Sequence, residues 1–338
     1  MRSFRAIVPA LLVCVLASGS VQGQSGWKVS KTLHVGGEGG WDYVTADPEN
    51  HRLFVPRSTH TMILDADAGK ILGDVPGQKI AHGVAIVPKL NRGFITDGGG
   101  SGAVIVFDLN SYSVLGKLTA MPDADGIIYD PGTDRILISA GDSNSLLTFK
   151  PDIDPQNGKI DAPIRLEGAP EFLAADAQGK AYVNLEDKDV VAVVDLNAHK
   201  VIDRWPVAPG GQPVGMSMDP KQHLLFIGCR KPQQLIVMNA ENGKVEGSLP
   251  IGAGVDATVF HDGQAFASCR DGSLTVAGLS NGKLELSQNV KTPEGARTMA
   301  VDRTNRRLYL PTAEFEPATS GRPKAKPGTF MIVVIDRQ

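Results

Sequence analysis

The sequence predicts an all-β chain built as a closed ring of repeated sheets, on three observations. A short β-rich run ending in polar residues recurs seven times: Arg52-Leu-Phe-Val-Pro-Arg57, Arg92-Gly-Phe-Ile-Thr-Asp97, Arg135-Ile-Leu-Ile-Ser-Ala140, Lys180-Ala-Tyr-Val-Asn-Leu185, Leu224-Leu-Phe-Ile-Gly-Cys229, Gln264-Ala-Phe-Ala-Ser-Cys269 and Arg307-Leu-Tyr-Leu-Pro-Thr312. The residues ending the preceding strand, Pro48, Pro88, Pro131, Ala177, Pro220, Asp262 and Arg303, are separated by 40, 43, 46, 43, 42 and 41 residues. Finally, the last unit stops after its third run, while Trp27-Lys-Val-Ser-Lys-Thr-Leu-His-Val-Gly-Gly37 precedes the first unit and has the character of a fourth. Self-similarity at a fixed period of about 40–45 residues is the mark of four-stranded propeller blades. The expected architecture is a seven-bladed β-propeller of four-stranded antiparallel blades.

Within a unit the order is constant. A short apolar run opens it, such as Val84-Ala-Ile-Val87 or Phe172-Leu-Ala-Ala175. A polar turn follows, such as Asp130-Pro-Gly-Thr-Asp134, whose residue types suit β-turns. After the recurrent second run comes a third, such as Val104-Ile-Val-Phe-Asp108 or Leu235-Ile-Val-Met-Asn239. Asn-Gly, as in Asn242-Gly243, then signals a hairpin into a more polar fourth run. Pairing the N-terminal strand 27–37 with the C-terminal three would close the ring and remove the open edges. Expected blades are 38–78, 79–121, 122–168, 169–209, 210–253, 254–295 and 296–338, the last completed by strand 27–37.

The 338 residues are 42% hydrophobic, enough for a sizeable core. Length alone suggests about two domains, but the repeat argues for one, spanning 24–338. Arg2 and Arg5, the apolar run Ala6–Ala17 and the small residues near Gly23 make residues 1–23 an expected signal peptide, which implies a periplasmic or secreted destination. Cys14 lacks the small residue that precedes a lipidated cysteine. No later run is long and apolar enough for a membrane-spanning helix. Cleavage leaves 32 basic against 37 acidic residues, a poor footprint for nucleic acid, whose binding rests on neutralising phosphates. A monomer is expected. Cys229 and Cys269 end equivalent runs on adjacent units. With strands about 4.8 Å apart, such positions diverge beyond the reach of a disulfide, which needs Cα atoms within about 7 Å, so two free thiols are expected.

Candidate functional residues come from the repeat itself. Six positions before each alignment point stand Asp42, His82, Asp125, Glu171, Val214, Asp256 and Arg297, all but one ionisable and all at one mouth of the central channel. A second layer at the same mouth includes Arg57, Asp97, Asp142, Glu186, Asp187, Arg230, Arg270 and Glu314. One reading is a hydrated rim in which Arg297 and His82 balance the carboxylates. Another is a binding site for a small-molecule ligand, an ion or a protein partner, with Asp42, His82, Asp125, Glu171, Asp256 and Arg297 in contact. Arg57, Arg230 and Arg270 would then grip an anionic group with paired hydrogen bonds. His82, Asp125, Glu171 and Asp256 form a candidate metal set, and mixed carboxylate and imidazole donors suit Mn²⁺, Mg²⁺ or Ca²⁺. A third reading is catalysis, with His82, Glu171 and Arg297 as the candidate groups and a carboxylate of raised pKa as base. The insert 313–328, with Arg322, Lys324 and Lys326, is expected to be a mobile proline-rich loop over this mouth or a docking arm. No nucleophile elbow, P-loop, zincin or haem-attachment motif is present.

The unit resembles the YVTN repeat of the YncE-like β-propellers, carried most plainly by Tyr182-Val183-Asn184 of the fourth unit. The other six units keep the hydrophobic alternation but not the Thr-Asn ending. The resemblance implies an exported propeller. It implies no single activity, because related propellers bind partners or act as lyases or lactonases; a metal-assisted enzyme of that kind is therefore the alternative to a binding module.

Overall fold

The computed structural model describes residues 26–280, 283–317 and 323–338. The expected signal peptide, with Cys14, and Arg322 of the long insert lie outside the described residues. The described chain is all-β, with short 3-10 turns at Pro48–Asn50, Pro88–Leu90 and Glu186–Lys188. No described helix is long and apolar enough to cross a membrane.

The strands form six sheets, five of four strands and one of six, all with antiparallel neighbours, so the expectation of seven separate four-stranded blades is corrected to six. The cause lies in two long strands, Arg52–Asp65 and Ile71–Val87, that carry the first repeat unit into the second without a break. The 14 residues of Arg52–Asp65 would span about 45 Å if straight. Instead Ala66 N–H donates to the His51 carbonyl at 2.9 Å, so the strand doubles back, turning at Ser58, where φ is 58°. The first half of Ile71–Val87 pairs with Arg52–Asp65 (His60 opposite Pro76) and its second half with Arg92–Asp97 (Ala81 opposite Asp97). Two sequence repeats thus share one sheet.

The innermost strands contact one another in order around a closed ring: Thr45–Asp47, the end of Ile71–Val87, Ala124–Asp130, Pro170–Ala175, Pro213–Asp219, Val255–His261 and Ala300–Asp302. The ring shuts where Trp27–His34 pairs antiparallel with Met331–Arg337, Trp27 opposite Arg337, which is the pairing expected from the sequence. Each recurrent second run places its third residue (Phe54, Phe94, Leu137, Tyr182, Phe226, Phe266, Tyr309) fully inside the packed layers. Large apolar side chains at that one position fill the space between neighbouring sheets, each stabilising by about 1.5–3 kcal/mol relative to exposure. Cys229 and Cys269 are buried free thiols, as expected.

Candidate functional site: the acid-rich channel mouth

Two local devices aim the ring residues at the channel. The first is a bulge. His82, Asp125, Glu171, Val214 and Asp256 each fall where the register of the innermost strand slips against its neighbour, between Ala81/Val84, Ala124/Ile127, Pro170/Leu173, Pro213/Gly215 and Val255/Ala257. A bulge inserts an extra residue and re-aims its side chain. The second is a side chain of the preceding unit that holds the backbone of a ring residue. Thr96 Oγ1 donates to the Asp125 carbonyl at 2.6 Å, Asn184 Nδ2 to the Val214 carbonyl at 2.9 Å, Ser268 Oγ to the Arg297 carbonyl and Thr298 Oγ1 to the Asp42 carbonyl at 2.9 Å. Thr96, Asn184 and Ser268 all stand at the fifth position of the recurrent run, so in those three units the polar position of the repeat holds a ring residue of the next, while Thr298 directly follows a ring residue.

The ring divides into two groups. On one side, His82 Nδ1 lies 2.7 Å from Asp42 Oδ2 and 3.2 Å from Asp125 Oδ1. These three donor atoms all lie within 4.8 Å of one another. Asp125 Oδ1 is buried and has no hydrogen-bond partner. On the other side, Asp256 is gripped by both Arg230 and Arg297. Arg230 Nη1 also donates to Glu186 Oε1 at 3.1 Å, and Glu186 is hydrogen-bonded to Glu171. Arg270 adds its positive charge to the field at Asp256.

The expected metal set is therefore corrected. His82 and Asp125 are together, but Glu171 is engaged with Glu186, and Asp256 is neutralised by two guanidiniums, so neither joins them. Asp42 takes their place. Arg57, expected to bind ligand at the mouth, is instead buried and donates to the carbonyls of Gly36, Glu38, Gly39 and Gly40. The described ends of the insert are paired: Phe315 bridges Ala325, and Phe315 packs against Trp41 with ring centroids 6.1 Å apart. Its described ends are thus paired strand-like arms set against the 37–41 segment.

Sequence reasoning passed over Tyr43. Burial, followed by the charges of Asp125, Asp42, Asp256 and Glu171, raises its hydroxyl well above the ordinary tyrosine value. Tyr43 packs against Phe172, the rings tilted by 45° with centroids 4.8 Å apart. Both follow a ring residue directly, and that offset was the available signal. Below the mouth they line a narrow apolar throat of about 110 Å³ with Ile127, Ala257 and Met299.

Burial and the Asp42 charge raise the Asp125 carboxyl to about 8. Burial alone would lower His82, but its hydrogen bond to Asp42 and the Asp125 charge carry it to about 9. Burial and the Glu186 hydrogen bond raise Glu171 to about 9. All three shifts mean that the folded chain binds more protons than the unfolded one, so stability falls as pH rises. The His82 contribution is whole below its unfolded value of 6.5 and is lost as pH passes about 9. The carboxyls, with unfolded values of 3.8 and 4.5, weigh increasingly against folding from there up to about 8 and 9. The expected outcome in chelator is a melting temperature that falls between about pH 6.5 and 9, with a shallower slope in His82→Ala. An unchanged slope in that variant would refute the assignment.

No protein-family model matches this chain, and no curated protein matches it. Solved structures do. A chain of a mitotic checkpoint complex is similar at 12% identity with a TM-score of 0.75, covering 99% of each chain. The RRP9 WD40 repeats are similar at 10% identity with a TM-score of 0.75, over 91% of this chain and 98% of that one. A chain of the Kuenenia stuttgartiensis hydrazine synthase is similar at 13% identity with a TM-score of 0.69, over 86% and 96%. At such identities the likeness is one of fold, and the fold is a β-propeller built from a repeated unit.

Proposed function

We propose that this chain is an exported propeller of the YncE-like kind that works as a binding module. Its acid-rich mouth takes a divalent cation, and through that ion a small ligand or the carboxylate of a protein partner. The Tyr182-Val183-Asn184 repeat core and the basic and apolar pattern of Met1–Gln24 support the family and the export. The observation that carries the site is the convergence of Asp42, His82 and Asp125. Ligand-to-ligand spacings of 2.7 and 3.2 Å match the edges of a coordination shell whose metal–ligand bonds are about 2.0–2.5 Å. Two carboxylates and one imidazole suit Mn²⁺, Mg²⁺ or Ca²⁺. A cation there would satisfy the orphaned Asp125 oxygen and displace the proton that His82 now shares with Asp42.

A second reading is a metal-assisted lyase or lactonase. The Glu171–Glu186 pair favours it, because a carboxyl raised to about 9 stays protonated at neutral pH and is available as a general acid at the same mouth.

The test is metal analysis and calorimetric titration of the purified, chelator-stripped protein with each of the three ions. The expected result is one cation per chain and a folded state stabilised by about 2.7 kcal/mol at a hundredfold excess over Kd. His82→Ala and Asp125→Asn are expected to lose both effects. Absence of binding, or equal binding by Asp125→Asn, sinks the site. Cation-dependent turnover of lactones that is lost in Glu171→Gln would select the enzyme, and its absence the binding module.

A further inference from the structure

A bowl of about 770 Å³ lies at the far ends of the innermost strands and shares Phe172, Thr258 and Val259 with the lining of the throat. Its walls are apolar, drawn from Phe172, Met216, Met218, Val259, Phe260 and Val301. Concave sites of about 300–1,000 Å³ with apolar walls and a few converging polar groups are the usual form of small-molecule sites. Two polar atoms in this lining, Ser217 Oγ and His261 Nε2, are buried and have no hydrogen-bond partner. A buried polar group without a partner costs about 1–3 kcal/mol, so two in one cavity point to an occupant that satisfies them.

The charges at the bowl are one-sided. Asp219 is committed to its own turn, accepting from Lys221 N at 2.9 Å and Gln222 Nε2 at 2.9 Å. Asp262 is paired with Arg337 at 3.2 Å and Arg306 at 3.5 Å. Among the described residues Arg303 donates to the Phe260 carbonyl, at 3.1 Å, and makes no ion pair. Burial and the Arg303 charge lower the pKa of His261, which leaves a neutral imidazole beside an uncommitted guanidinium. The bowl therefore offers an apolar body site and a cationic, hydrogen-bonding head site.

We propose that this bowl is a second ligand site, distinct from the acid-rich mouth, for a small amphiphile with an apolar body and a single carboxylate head held by Arg303, with His261 and Ser217 completing the polar contacts. The Tyr43 and Phe172 rings, tilted against each other, line the separate cavity of about 110 Å³.

Octanoate and octanol are the probes, titrated calorimetrically into the full chain in chelator. The expected result is saturable binding of one octanoate per chain, with octanol at least about tenfold weaker, the ratio set by a charge-assisted hydrogen bond. Arg303→Ala, at an exposed position, is expected to weaken octanoate by about tenfold and leave octanol unchanged. Met218→Glu, if its melting temperature matches the parent, is expected to abolish both. Three outcomes overturn the proposal: no saturable binding of octanoate at millimolar concentration, octanol binding as tightly as octanoate, or octanoate binding unchanged in Arg303→Ala.

Discussion

Arg57→Ala is expected to destabilise the propeller by about 2–5 kcal/mol, the range for truncating a large buried side chain, with buried carbonyls left unsatisfied as well. Arg57 is among the largest fully buried side chains of the chain. Its guanidinium donates to Gly40 O at 3.1 Å, Gly36 O at 3.2 Å, Glu38 O at 2.9 Å and Gly39 O at 3.0 Å. It also stacks on the Phe330 ring at 3.8 Å. No carboxylate balances the charge at bonding distance, and burial lowers its pKa to about 10, against a weaker pull upward from Asp74. Truncation leaves those carbonyls without donors and opens a void beside Phe330. Arg57→Lys is expected to recover only part of the loss, because an ammonium cannot reach several carbonyls as a planar fork does. Urea unfolding at unchanged m-value is the measurement. A loss under about 1 kcal/mol would mean that the 36–40 segment finds other donors, and the structural role given to Arg57 would be wrong.

Asp256→Ala is the second large effect, also about 3–5 kcal/mol. Asp256 is 4% exposed and stands between Arg230 and Arg297. Burial pushes its carboxyl upward, opposed by Arg297 and Arg230. Its removal leaves two half-buried guanidiniums, Arg230 and Arg297, facing each other. The loss is expected to be strongly non-additive with Arg297→Ala. The double variant should be no less stable than Asp256→Ala alone, because removing Arg297 relieves the repulsion that the first change creates. Additive losses in a double-mutant cycle would show that the contact carries no coupling.

The ring of channel residues was legible because the repeat supplies a register: counting back from Pro48, Pro88 and their equivalents reached Asp42, His82, Asp125, Glu171, Asp256 and Arg297. How they pair was not legible, since partners across a channel depend on bulge geometry, and nothing in the sequence marks the slip between Ala81 and Val84 or between Ala124 and Ile127. Arg57 was misplaced for a related reason. Its partners are backbone carbonyls of a glycine-rich segment, and carbonyls leave no trace in residue identity. The sheet count failed at Ser58, where a hairpin turns so tightly that its two arms form one continuous strand. The bowl went unnoticed because the far ends of the innermost strands read as ordinary apolar alternation, and only the orphaned Ser217 and His261 distinguish them.

The pairing of Trp27–His34 with Met331–Arg337 also sets the order of assembly. Trp27 and Arg337 stand 310 residues apart in the chain, so at about 5–20 residues per second roughly 15–60 s of synthesis separates them. Throughout that interval Trp27–His34 has no partner to add to, and every sheet made so far belongs to an open arc with bare edges. Ring closure joins segments of very large sequence separation, the kind of contact that slows folding most. The strongest demand this architecture makes on a cell is therefore for a chaperone that shields the unfinished arc until its last strand arrives.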